Sequence, residues 1–441
     1  MATDPIYVDR VRRLTEQFDE YMSEQSALST QHSSTEFGAS GRLFLCRVWR
    51  AQFAAGLFGR ARRVGRGSSE VSQRSWPATR WPWGCSYHYG YFRQRLGREG
   101  WQEERYGETD PAELPLHQVT GDDGKPLQIE VSIRQRSVLA QVWRADVGRV
   151  QLYLLDTNIT ANAETDRWVT GHLYGGDRET RIVQEMLLGI GGVRLLRKLR
   201  HPTRRLPFER RPQARSSRSE LARELSQSKG LTFADAAKLV REQCVFTTHT
   251  PVAAGNDEFD VDLLSRSFGA DYEKELGLNH EEFLALGRNG HVSGTEQDKP
   301  RKVSAGAFGL TPLAIRMCRS TNGVSRKHGE VSRALWQKLW PEETVEQIPI
   351  THVTNGVHAP TWVAPMIGSL YEKHAGPEWP QHVRNKTRWA ESISQIPDEE
   401  LWAAHLLLKG RLIEFIRQRS FLARISRGET QAYSEAARAV V

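Results

Sequence analysis

The stretch Cys244 to Asn256, C-V-F-T-T-H-T-P-V-A-A-G-N, decides how the chain is read. A short apolar, β-prone run ends in Thr247-Thr248-His249-Thr250, Pro251 stops it, and Gly255-Asn256 supplies a turn. In an α/β fold this is the layout that lifts polar side chains to the carboxyl end of a buried strand, where such folds bind ligands. His249 carries the only titratable ring in the run, among three threonine hydroxyls. Two readings stand side by side at this point, a ligand-binding histidine and a buried structural one.

The segment just upstream supports the strand. Thr232 with Asp235 three residues on marks a helix start, and Phe233, Ala236, Ala237 and Val240 mark one buried side. Helix followed by strand is the order expected of a doubly wound sheet. Farther down, Ile348 to His358 repeats the arrangement, an apolar run ending in His352-Val353-Thr354-Asn355-Gly356. Asn355-Gly356 reads either as a plain turn or as an amide placed to hydrogen-bond ligand hydroxyls. Asn279 with Glu282 starts another helix, and Thr311-Pro312 reads as an N-cap and first-turn pair.

Between these lies a β-rich block. Leu127, Ile129, Val131 and Ile133 alternate with polar residues, and Val138–Arg144 and Val150–Leu155 read as two further strands. Gly189, Gly191 and Gly192 spell G-x-G-G, but they follow a helical run of Ile182, Met186, Leu187 and Ile190. Close helix packing therefore explains them better than a dinucleotide-binding turn. Val8 to Tyr21 has helical spacing, and Asp398 to Leu412 reads as a long amphipathic helix.

The 441 residues carry a net charge of +8 that is unevenly placed. Residues 34–88 hold +7 and residues 197–218 hold +8, so the remainder is acidic at −7. Residues 37–88, 200–218 and 289–308 break the periodicity around them. The Arg- and Trp-rich text of the first has two readings: a surface for single-stranded nucleic acid, or the product of an out-of-frame stretch of a GC-rich gene. The second reading is preferred, so no nucleic-acid partner is expected. No apolar run approaches the ~18 residues of a membrane span. The acidic amino terminus lacks a signal-peptide layout, and four scattered cysteines form no zinc spacing or disulfide framework. A cytoplasmic setting without membrane or metal is expected.

Six runs taken together resemble the α-1,4-glucan phosphorylase family (glycogen, starch and maltodextrin phosphorylases), in its shorter bacterial branch. They are Y-G-Y-F-R-Q-R-L (89–96), V-W-R-A-D-V-G-R-V-Q-L-Y-L-L-D-T-N (142–158), L-Y-G-G-D-R-E-T-R-I (173–182), V-F-T-T-H-T-P-V-A-A-G (245–255), N-G-V-S-R-K-H-G-E-V-S (322–332) and H-V-T-N-G-V-H-A-P-T-W (352–362). The resemblance implies a Rossmann-like, doubly wound α/β amino-terminal domain of a two-domain glycosyltransferase, with β-rich additions. It implies phosphorolysis of terminal α-1,4 bonds to α-glucose 1-phosphate, with glucan and phosphate as substrates, pyridoxal 5′-phosphate as cofactor and a possible homodimer. It makes His249 the histidine that faces the bound glucosyl unit, a catalytic and substrate-binding candidate, and Asn355 the amide on a sugar hydroxyl.

The departures from the pattern are specific. The family's Gly-rich loop should follow Glu36-Phe37-Gly38, and its N-E-G-H run should fall near 205–215, where the Arg-rich segments stand instead. No lysine stands in the family's cofactor motif, and the cofactor-bearing carboxyl-terminal domain is not expected in residues 1–441. The expectation is therefore an incomplete phosphorylase domain, inactive alone. The alternative is a residual glucan-binding module or a non-functional fragment.

Overall fold

The computed structural model describes residues 83–97, 99–147, 150–173, 175–199, 216–288, 307–355, 359–383 and 385–439, together with Arg12 and Glu16. Most of the stretch expected to form an amino-terminal helix, and most of the three irregular segments, lie outside the described residues. The ends of those segments do not: Trp83–His88, Ser216–Arg218 and Phe308 are described, with Trp83–Cys85, Ser217–Arg218 and Phe308 inside strands or a helix.

Among the described residues two sheets carry the fold. The first has five strands: β1 (Trp83–Cys85), β4 (His117–Gln118), β5 (Gln128–Ile133), β6 (Arg136–Val147) and β7 (Val150–Asp156). The alternation in β5 puts Ile129, Val131 and Ile133 inside and Gln128, Glu130 and Ser132 outside, as a half-buried strand requires. Ile133 pairs with Arg136, so Arg134 and Gln135 make a two-residue hairpin turn with φ of 53° and 58°. Such turns favour glycine or asparagine. Here the Arg134 N–H donates to the Ser267 carbonyl at 3.0 Å and its guanidinium pairs with Glu179 at 2.9 Å. Tertiary contacts hold a turn that the local sequence does not advertise.

The second sheet is parallel, in the order β12 (Ile350–His352), β11 (Ser320–Gly323), β8 (Val245–Thr247). The helix Phe233–Gln243 delivers the chain to β8. Its N-cap is Thr232, whose hydroxyl accepts from the Asp235 N–H, and Phe233, Ala236 and Val240 are buried, as the pattern predicted. The helix Arg326–Trp336 makes the crossover from β11 to β12. Gly323 and Gly329 let it lie against the sheet: a Cβ on Gly323 would meet the Gly329 backbone at 2.8 Å, and one on Gly329 would meet the His352 Cβ at 3.1 Å. Asn279 and Glu282 form a full capping box. The helix near 311 departs from expectation. It spans Leu310–Arg316 with Gly309 as N-cap, because the Thr311 hydroxyl is buried and donates to Asn256 Oδ1 at 2.9 Å.

One hydrophobic core runs beneath both sheets, from Ile129, Val131 and Leu155 to Phe246 and Leu313. Packed on the first sheet is a continuous helical run: Arg178–Met186, a single π-helical turn at Leu187–Gly191, then Gly192–Lys198. The three glycines serve packing. A Cβ on Gly189 would meet the Ser217 amide nitrogen at 2.8 Å, and one on Gly192 would fall inside the Trp83 indole. Trp83 in turn donates from Nε1 to the Leu188 carbonyl at 2.8 Å, a carbonyl near the π turn.

The helix Asp398–Ser426 forms over 29 residues, but only Ala404 is buried. Trp402, Leu407 and Leu412 are more than half exposed. The amphipathic expectation fails because apolar residues fall on every side of the helix, so no single stripe can be turned inward. At its amino end Glu400 accepts from Lys373 at 2.8 Å, which ties the helix to Pro365–Ala375.

Two expected outcomes follow from this packing. Gly189→Ala forces a methyl against helix backbone and lowers unfolding free energy by about 1–3 kcal/mol, read as a reduced urea midpoint at unchanged slope; an unchanged midpoint contradicts the packing role. The second concerns His88, whose Nε2 lies 3.1 Å from the buried Asp156 Oδ1. The hydrogen bond to Asp156 raises the His88 pKa above 6.5. Burial works to raise that of Asp156, but hydrogen bonds from His88 and the Asn158 N–H bring it below the usual value. The carboxylate's contribution is lost as pH falls below about 4, and the imidazolium's is lost as pH rises from about 6.5 through the raised value. Thermal midpoints should therefore decline above pH 6.5 in the parent, and His88→Ala should remove that part of the decline.

Candidate functional site

The residues singled out in the sequence gather at the carboxyl end of the parallel sheet. Thr247 closes β8, and Thr247, Thr248, His249 and Thr250 are all buried, His249 at 2% exposure. His352 closes β12, and Asn355 follows three residues later with its side chain exposed. β11 runs between the two strands. His249 and Asn355 thus rise from opposite outer strands at one sheet end, separated laterally by two strand spacings, about 10 Å.

The middle strand organises both. Asn322 is 2% exposed and pairs in register with Thr247 on one side and Thr351 on the other. Its Oδ1 accepts from the Thr247 hydroxyl at 2.9 Å, its Nδ2 donates to the Gly323 carbonyl at 2.9 Å, and its own carbonyl accepts the Thr248 N–H at 2.9 Å. Asn322 therefore holds the chain leaving β8 toward His249 at two points, the Thr247 hydroxyl and the Thr248 N–H. On the β12 side, the Val353 N–H donates to Gly323 O at 2.9 Å and the Asn355 N–H to Val324 O at 3.1 Å. The Val324 N–H donates to Nδ1 of buried His328 at 3.1 Å. Asn322 and His328 were not singled out in the sequence. Both lie in the 322–332 run, but a buried cross-strand amide has no local signature.

The loop beyond His249 is pinned as well. Gly255 sits against Thr250, where a Cβ would meet Thr250 Cγ2 at 2.4 Å. Asn256 Nδ2 donates to the Val252 carbonyl at 3.0 Å while Oδ1 accepts from Thr311. Asp257 accepts from Arg181 at 2.7 Å, which couples this loop to the helix Arg178–Met186.

The opposite end of the sheet is held by an arginine from the second irregular segment. Arg218, 2% exposed, donates from Nε to Cys318 Sγ at 2.9 Å and from Nη2 to the Val245 carbonyl at 3.3 Å. Burial pushes the Cys244 thiol up to about 12 and raises that of Cys318, where Arg218 opposes the shift. These thiols are structural, not nucleophilic.

Residues 216–423 match the family model described as carbohydrate phosphorylase. The chain is 38% identical over 341 residues to the maltodextrin phosphorylase of Thermococcus litoralis, covering 76% of this chain and 38% of that protein. It is 39% identical over 359 residues to the glycogen phosphorylase of Mycobacterium tuberculosis, covering 79% and 40%. Against the glycogen phosphorylase of Aquifex aeolicus the identity is 34% over 338 residues, covering 76% and 46%. The chain belongs to the carbohydrate phosphorylase family. It spans less than half the length of these relatives.

His249, Asn322, His328 and Asn355 all fall within the part that matches the phosphorylase model. Thr248, His249 and Asn355 carry hydroxyl, imidazole and amide groups, types that hydrogen-bond uncharged hydroxyls, while the Asn322 amide is committed within the sheet. Pyridoxal 5′-phosphate, which the family resemblance implies, needs a lysine amine at the site. Every described lysine is exposed, and Lys327, near the end of β11, is engaged with Glu330 at 3.3 Å on the outer face of its helix. The described residues do not fit covalent attachment of that group. Nor do they include a cluster of three His, Cys, Asp or Glu placed to hold a metal ion.

Replacing Asn322 by Ala removes the acceptor of Thr247 and is expected to destabilise the protein by about 1–3 kcal/mol. Adding Thr247→Val to Asn322→Ala should cost little more than Asn322→Ala alone in urea unfolding. Additive losses would show that the two side chains do not act through one hydrogen bond.

Proposed function

We propose that this chain presents the sugar-facing wall of an α-glucan phosphorylase site, with the terminal glucosyl unit lying across the carboxyl end of the parallel sheet. The observation that carries this reading is the placement of the His249 and Asn355 loops on opposite sides of one middle strand, both tied to its backbone. Such strand ends are where open α/β sheets take ligands. His249 would meet the sugar through its backbone carbonyl and ring, and Asn355 would bind a hydroxyl through its exposed amide.

The reaction of this reading is phosphorolysis. Phosphate oxygen bonds to the anomeric carbon as the C1–O4 bond breaks, the leaving oxygen takes a proton, and α-glucose 1-phosphate departs from a shortened glucan. That reaction needs fixed positive charge for phosphate and a proton donor for the leaving oxygen, both preorganised where charge develops. The hydroxyl and amide groups at this sheet end position a sugar and supply neither. The proposed behaviour is therefore glucan binding without turnover by the chain alone. The resemblance also implies a homodimer, and the exposed apolar side chains of Asp398–Ser426 are one surface available for it.

The test separates binding from catalysis. Purified chain should be retarded in native gels containing glycogen, and His249→Ala and Asn355→Ala should each weaken retardation several-fold with circular dichroism unchanged. Incubation with maltoheptaose, phosphate and pyridoxal 5′-phosphate should release no glucose 1-phosphate. Cofactor-dependent release would overturn the inactive reading. Retardation indifferent to both substitutions would overturn the assignment of the wall.

A further inference from the structure

Within the helix Asp398–Ser426 one row of side chains advances by alternating steps of four and three: Trp402, Leu406, Lys409, Ile413, Ile416 and Ser420. At a mean step of 3.5 residues such a row keeps to one side of a helix and forms the seam of a two-stranded coiled coil. Trp402, Leu406, Lys409 and Ile416 are exposed, and Ile413 and Ser420 are half-buried. The helix is fastened to its own chain near its ends. At the amino end Glu400 accepts from Lys373 of Pro365–Ala375. At the carboxyl end Arg424 donates to the Tyr433 carbonyl, and the Arg438 guanidinium lies 4.1 Å from the Phe421 ring centre. Between these attachments the row lies open.

The residues of the row decide what can cover it. Two copies of this helix set side by side in parallel would place Lys409 against Lys409 and Trp402 against Trp402. An antiparallel pair centred at the level of Arg411 places Trp402 against Ser420, Leu406 against Ile416 and Lys409 against Ile413, each contact made twice. Large then meets small and aliphatic meets aliphatic, as close packing requires. The stem of Lys409 can lie along Ile413 while its charge stays in water, and its Nζ already leans 5.3 Å from the Trp402 ring centre. A lone polar residue in such a seam fixes the orientation of the strands. Arg411 itself falls on the opposite side of the helix from the row, so the two copies bring no like charges together at the centre. The flanks agree. The first turn holds Asp398, Glu399 and Glu400, and Arg424 stands in the last. Antiparallel pairing sets Glu399 of one copy beside Arg424 of the other, whereas parallel pairing sets the acidic turns side by side.

We propose that a second copy of this chain docks on the row from Trp402 to Ser420, the two helices pairing antiparallel about a twofold axis level with Arg411. The contact is self-complementary, as a closed twofold pair demands, and the overlapping seam is about 27 Å long. A homodimer is common to this pairing and to the function proposed above, but the geometry rests on the helix alone and not on the glucan reading. The spread of apolar residues around the helix, which defeats burial against its own chain, does not prevent one row from being covered by a partner.

Sedimentation equilibrium of the purified chain tests this, with circular dichroism as the check on folding. The parent should sediment as a dimer, and Leu406→Glu should weaken dimerisation at least about tenfold. Leu407→Glu is the control for general stickiness: Leu407 is 58% exposed against 51% for Leu406, but it lies off the row. Its dimerisation should match the parent's. Ile416→Lys added to Leu406→Glu sets opposite charges level with each other in the antiparallel pair and should recover most of the loss. In a parallel pair the same double variant stacks like on like. A monomeric parent overturns the pairing and the homodimer together. A dimer indifferent to Leu406→Glu overturns the pairing and leaves the homodimer standing, and equal losses for Leu406→Glu and Leu407→Glu overturn the seam. A double variant no better than Leu406→Glu overturns the antiparallel orientation.

Discussion

The described structure depends on a buried amide in the middle of a parallel sheet. Asn322 bonds sideways to Thr247, forward to the Gly323 carbonyl, and through its own backbone to Thr248. A buried side chain of this kind is stabilising only when its groups are met. Because the partners come from β8 and from the exit of β11 itself, meeting them aligns the strand ends. The loops carrying His249 and Asn355 inherit that alignment. One residue thus links sheet register, which is a matter of stability, to the position of polar groups at the sheet's carboxyl end.

A second constraint acts from beneath. The helical run through Leu187–Gly191 is buried along its length and packs against the first sheet and the helix Ser217–Lys229. Its glycines remove the side chains that would hold these layers apart. The Trp83 indole then fills the space over Gly192 and caps the Leu188 carbonyl. Trp83 and His88 lie at the end of the first Arg-rich segment, yet both are built into the fold, His88 through its ion pair with buried Asp156. Arg218 at the end of the second segment does the same beneath β8 and β11. Composition marked these positions as foreign, and packing shows that their last few residues are not. Net charge and residue bias describe a stretch as a whole, while burial is decided one side chain at a time.

The buried carboxylates of Asp156, Asp166 and Glu220 are paired. Glu220, fully buried, accepts from Arg194 at 3.0 Å and from Arg223 at 2.6 Å. Burial of one carboxylate between two guanidinium groups explains why an acidic residue is tolerated at the junction of helix and core. The polar groups at the carboxyl end of the parallel sheet differ in kind. They are threonine hydroxyls, amides and an imidazole, carried by Thr247, Thr248, Asn322, Asn355 and His249.

Much of this was legible in the chain itself. Period-two alternation placed β5, the Thr232–Asp235 and Asn279–Glu282 pairs placed two helix starts, and the polar runs after Phe246 and Ile350 placed the two loops. These are local rules, set by backbone sterics and by side chains reaching their own amide groups. The family likewise follows from order and spacing of six runs. Tertiary structure alone decided the rest. Asn322 and His328 gained their positions from neighbours in register, and Arg134-Gln135 holds a strained turn because Ser267 and Glu179 meet it. Thr311 became a buried donor to Asn256 in place of an N-cap. The helix read over Asp398 to Leu412 runs on to Ser426 and lacks its predicted buried face, since local periodicity sets the helix and only a partner surface can bury it. Interactions between residues distant in sequence have no local signature, and these are the ones that bring His249 and Asn355 to one end of one sheet.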